Sequence, residues 1–88
     1  MSRLKNEQTV IVDIGNVAGL SVLNLTEDKV FVYVDYQDAK GIWSALTGER
    51  LVAGGATFER TRIDLGHDSV RVGGRGTDDG RDLVEVTP

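Results

Sequence analysis

Apolar residues alternate with their neighbours in short runs along this chain, and Val30 to Tyr36 is the strongest of them. Successive side chains of an extended strand point to opposite faces, so Val30, Val32, Val34 and Tyr36 share one side and Phe31, Tyr33 and Asp35 the other. Both sides carry apolar or aromatic groups. A strand of this kind has one face for a core and a second that must be covered or offered to a partner.

Weaker runs of the same type recur at 9–14, 20–25, 51–53, 57–65, 69–72 and 83–86, and Gly, Asp or Asn interrupts each within about ten residues. The spacing predicts an all-β fold, a small antiparallel sandwich, roll or barrel of about six to eight short strands. Residues 1–88 read as one domain, with 1–7 loose. The polar stretch Thr26–Lys29 reads as a hairpin turn joining the strands at 20–25 and 30–36. Residues 73–82, dense in Gly and Asp, read as a loop. Thr57–Leu65, polar on its outer half, reads as an edge or one-sided strand.

Residues 38–50 have two readings. Ala39, Ile42, Trp43 and Leu46 fall at helical spacing, with Asp38 as a cap and Gly48 as a stop, which gives an α+β alternative with one short helix near 39–47. Gly41 weakens that helix, and the same residues also suit a strand and a turn.

Composition narrows the function. The chain has 88 residues, no Cys and one His, and 14 acidic against 10 basic residues leave a net charge of −4. A net negative charge opposes nonspecific binding to nucleic acid or an anionic membrane. No apolar run reaches the roughly 20 residues of a membrane-spanning helix. The lack of Cys, with no signal-like apolar segment after Met1, leads us to expect a cytoplasmic protein, a virion or assembly component included. A domain this small, without disulfides, buries a modest core, and association is one way to add to it.

Reactive motifs are sparse. His67 stands beside Asp68 and Ser69, which could make a base, its orienting carboxylate and a nucleophile, yet Gly-His-Asp-Ser is also ordinary turn composition. Asp78, Asp79 and Asp82 bracket Gly80 as oxygen donors for a hard cation would, but without the spacing of a known calcium loop. Gly73-Gly74-Arg75-Gly76 is a short anion-binding pattern, and Arg60, Arg62 and Arg71 could extend it as a basic stripe or pair with Glu59, Asp64 and Glu85. Asn24-Leu25-Thr26 matches a glycosylation acceptor. We expect no enzyme, no metal and no cofactor.

Leu23-Asn24-Leu25-Thr26, the valine-rich strand after it, Leu46-Thr47-Gly48-Glu49, Ile63-Asp64-Leu65 and Val70-Arg71-Val72 occur in an order that resembles the small C-terminal β-sandwich appended to many glycoside hydrolases. The resemblance covers about residues 20–72. It implies a β-sandwich with a strand at 42–46 and an accessory role, and it transfers no catalytic residue.

The leading expectation is a non-catalytic interaction or assembly module that pairs with itself or docks on a larger protein. Phe31, Tyr33, Tyr36 and Trp43 are its candidate contacts, with Phe31 and Trp43 also the first candidates for an aromatic core. Two further classes stand beside it. A small acidic inhibitor would gather Glu27, Asp28, Asp35, Asp38, Asp78, Asp79 and Asp82 on one face to fill a basic groove. A carbohydrate-binding module would expose Tyr33, Tyr36 or Trp43 as a platform.

Overall fold

The valine runs pair into two antiparallel sheets that close face to face in a computed structural model describing residues 2–88. The strands are β1 (Ser2–Leu4), β2 (Thr9–Asp13), β3 (Gly19–Asn24), β4 (Val30–Gln37), β5 (Trp43–Ala45), β6 (Arg50–Val52), β7 (Thr57–Thr61), β8 (Ser69–Arg75) and β9 (Val84–Thr87), with one helical turn, α1 (Arg62–Leu65). One sheet has the order β1-β9-β3-β7. The other runs β2-β8-β4-β5, and β6 also pairs with β4. The all-β class predicted from the sequence is present, with nine strands where six to eight were expected.

Alternation builds the core. Val30, Val32 and Val34 of β4, Val70 and Val72 of β8 and Val12 of β2 point inward from one sheet. They meet Leu20, Val22, Phe58, Val84, Val86 and Leu4 from the other, and Ile14, Leu65 and Leu83 close the ends. Each buried valine or leucine contributes about 1.5–3 kcal/mol of transfer free energy.

Several expectations change. β3 and β4 do not form a hairpin: β3 pairs with β7 and β9, and β4 with β8, β5 and β6, so the 25–29 turn carries the chain from one sheet to the other. Asn24 explains the crossing. Its side chain is buried, Nδ2 donates to the carbonyls of Asp28 (2.7 Å), Val52 and Ala53 (3.1 Å each), and Oδ1 accepts from the Thr26 N–H and hydroxyl. The glycosylation-like triplet is therefore an internal brace.

The 39–47 segment is not a helix. Asp38 Oδ1 accepts from the Lys40 and Ile42 N–H groups, which holds a turn, and Gly41 sits at φ 83° before β5 begins. β5 and β6 behave as one interrupted edge: the N–H groups of Leu46 and Thr47 both donate to the Val34 carbonyl, and Val34 N–H donates to the Thr47 hydroxyl.

The expected strand 57–65 stops at Thr61, whose hydroxyl accepts from Asp64 N–H and caps α1. As expected, β7 lies at a sheet edge. The expected 73–82 loop is shorter, because Gly73, Gly74 and Arg75 continue β8. Of the segment expected to be loose, Met1 lies outside the described residues, and Ser2–Leu4 form β1 against β9.

Candidate functional site

The outward face of the β2-β8-β4-β5 sheet collects three of the chain's five aromatic side chains and the guanidinium groups of Arg71 and Arg75. β4 turns Phe31, Tyr33 and Asp35 outward, opposite its core valines. The register with β8 sets Arg75 across from Phe31, Gly73 across from Tyr33 and Arg71 across from Asp35. Trp43 enters from β5 opposite Gln37, Leu51 from β6 opposite Phe31, and Ile11 from β2 opposite Arg71.

Arg71 ties the centre together. Its Nη2 and Nε both reach Asp35 Oδ2, at 2.9 and 3.2 Å, while its guanidinium lies 4.9 Å from the Trp43 ring centroid. The pair is partly shielded from water, so it holds geometry better than an open surface pair would. Arg75 repeats the motif, 5.1 Å from the Phe31 centroid and 2.7 Å from Glu49 Oε2. That carboxylate raises the affinity of Arg75 for its proton.

Tyr33 fills the space between these two units by lying over Gly73. A Cβ on Gly73 would sit 2.5 Å from the phenol oxygen. Partial burial, followed by the nearby carboxylates of Asp35 and Glu7, raises the Tyr33 phenol above its ordinary value, so it stays neutral as a donor. The face thus reads Trp43–Arg71–Asp35, Tyr33 on Gly73, then Phe31–Arg75–Glu49. Ile11 and Leu51 flank it, 61% and 55% exposed.

Of the four contacts expected from the sequence, Phe31, Tyr33 and Trp43 share this face. Tyr36 does not. It lies on the inward side at the end of β4 and stacks on His67, with ring centroids 4.6 Å apart and planes at 16°. Neither Phe31 nor Trp43 is core; the buried aromatic residue is Phe58, with Arg60 over its ring at 4.3 Å. Asp35, which alternation already sets beside Phe31 and Tyr33, is joined on this face by Arg71, Gly73 and Glu49, which the sequence does not link to those aromatic residues. A signal was present: two glycines inside a strand mark a close approach of something to the backbone, here the Tyr33 ring.

The other motifs disperse. His67 is engaged in its stack, and Asp68 uses its carbonyl to accept from Ile14 N–H. Arg60, Arg62 and Arg71 lie on different surfaces: Arg62 donates to the Gly15 carbonyl, and Glu85 pairs with Arg3. Glu27, Asp28 and Asp82 line one hollow with Arg81, and Asp28 and Asp79 line its neighbour. Asp79 is held below the usual carboxylate range by Arg81, and Asp82 pairs with Lys5. Asp35 and Asp38 sit elsewhere, so the seven acidic residues do not form one face. Among the described residues, no group of three His, Cys, Asp or Glu side chains is placed to hold a metal ion, and no helix is long and apolar enough to cross a membrane. An open groove of about 490 Å³ lies along β3, β7 and Pro88, bordered by Ser21, Glu59 and Arg60. No known protein family, curated protein or solved structure matches the chain.

Proposed function

We propose that this chain is a non-catalytic protein-interaction module and that the outward face of the β2-β8-β4-β5 sheet is its docking surface. The alignment of Trp43, Tyr33 and Phe31 with Arg71 and Arg75 on one rigid sheet carries this reading. Trp, Tyr and Arg dominate the binding energy of protein interfaces. Here their rings and guanidinium groups are held by Asp35, Glu49 and Gly73, so docking freezes little side-chain motion. The flanking Ile11 and Leu51 add exposed apolar area.

A protein partner suits the face better than a sugar. A guanidinium lies over the Trp43 ring and another over the Phe31 ring, where a sugar would need open ring faces to stack.

The test compares the native chain with Trp43→Ala and Arg71→Ala for binding to whatever protein the native chain retains from its own host. Circular dichroism checks that both variants stay folded. Each variant should weaken that binding by about thirty-fold, the effect of a hot-spot residue. Unchanged binding by both variants, or no retained protein at all, would count against the face.

A further inference from the structure

The two sheets expose edges that differ in how they are protected. β1 has three residues, and β5 and β6 have three each and are interrupted between them. β7 has five but carries Glu59 and Arg60. Short or charged edges of this kind resist pairing with another chain. β2 is different. Thr9-Val10-Ile11-Val12-Asp13 has no Pro, Gly or Lys and pairs with β8 one residue to one, without a bulge. Its Ile11 is 61% exposed.

The direction of its backbone groups follows from the ladder. Ile14 N–H donates to the Asp68 carbonyl at 2.7 Å. Hydrogen-bonded pairs recur every second residue in an antiparallel ladder, so Val12 and Val10 also turn their polar groups to β8. Thr9, Ile11 and Asp13 therefore aim both N–H and C=O outward, along the open edge.

We infer that β2 pairs antiparallel with β2 of a second copy of this chain, about a two-fold axis at Ile11. This rests on the reading of the chain as an interaction module and names one partner for it. The register is set by self-complementarity. With Ile11 opposite Ile11 of the partner subunit, Thr9 faces Asp13 of the partner subunit and Asp13 faces Thr9 of the partner subunit. All three outward-directed residues then pair, giving about six backbone hydrogen bonds; shifting the axis to Val10 leaves about four. Side chains agree with this register. The two isoleucines meet on the outward face, and the Thr9 hydroxyl can donate to Asp13 Oδ2, since Asp13 Oδ1 already accepts from Gly15 N–H at 3.0 Å. Pairing joins two five-stranded sheets and places the two aromatic faces side by side.

Light scattering on the full chain, from micromolar to millimolar, should give twice the single-chain mass. Ile11→Lys sets two ammonium groups against each other and should return the single-chain mass with an unchanged circular dichroism spectrum. Thr9→Lys, which would face Asp13 of the partner subunit, should keep the pair. The chain has no cysteine, so Ile11→Cys supplies a lone thiol. Directly opposed residues lie about 5.5 Å apart at Cα, within disulfide reach. Oxidised Ile11→Cys should therefore run as a covalent pair, and Thr9→Cys as a single chain. A single-chain mass at every concentration, or a pair that survives Ile11→Lys, overturns the inference. A monomer that still loses its protein partner on Trp43→Ala would sink only the edge pairing. A pair that retains full binding to that partner after Trp43→Ala would sink only the docking face.

Discussion

At position 24 one amide side chain binds backbone from the 25–29 turn and from the end of β6, two segments that are remote in sequence. Removing it takes away the buried Nδ2 bond to the Val52 carbonyl and releases the Thr26 N–H, and each such bond lost in a shielded setting costs about 1–3 kcal/mol. Asn24→Ala should lower unfolding stability by about 3 kcal/mol in urea titration. Asn24→Asp should be no better, because a carboxylate cannot donate to the carbonyls that Nδ2 now serves. If either variant unfolds at the native midpoint, the brace contributes little. Nothing in the local pattern announces this role: Asn24-Leu25-Thr26 reads as turn composition or a glycosylation acceptor, and the carbonyls that define it come from residues about thirty positions later.

Elements were legible where a single face is buried. β2, β3, β4 and β9 follow their period-two patterns to within a residue or so, because a slip of one residue would turn a whole apolar set to water. Elements governed by a neighbour were not legible. The β5–β6 break depends on Val34 giving both its polar groups to residues 46 and 47, and β8 runs through Gly73 because β4 supplies Tyr33 to cover it. The candidate face shares this division. Alternation placed Phe31 and Tyr33 together, while Trp43 joined them only once the register of β5 was known. The β4–β8 contact also has a pH signature. The Tyr33 phenol is raised above its ordinary value near 10, so the folded chain holds that proton more tightly than the unfolded chain does. Its contribution is complete below about pH 10 and declines as pH rises beyond that. The native chain should lose more stability than Tyr33→Phe between neutral and strongly alkaline pH. Parallel alkaline slopes in denaturant titrations of the two would refute the assignment.

At the scale of the molecule, strands alternate between sheets nearly every time the chain turns, and sheet order bears little relation to chain order. That is why the crossover at 25–29 could not be told from a hairpin: a short polar turn suits both. β9, the last strand, lies between β1, the first, and β3. The β1-β9-β3-β7 sheet is thus incomplete until the C-terminal residues are present, and folding should take milliseconds to seconds, as for other folds built on distant pairings. A chain ending at Asp82 should show no cooperative unfolding. A chain lacking residues 1–4 loses the buried Leu4 and its hydrogen bond to Leu83 N–H, and should fold with about 2–5 kcal/mol less stability. A stable, cooperatively unfolding chain ending at Asp82 would show that the sheet closes without β9.

The pairing of β1 with β9 sets Ser2 beside Val86. Head and tail of the chain therefore leave from one corner, on the sheet that turns its back to Trp43, Tyr33 and Phe31. Anything tethered at either end, whether a label, a bead or a fused protein, hangs behind the aromatic face. A surface coated with this chain through either terminus would present the same side to its surroundings.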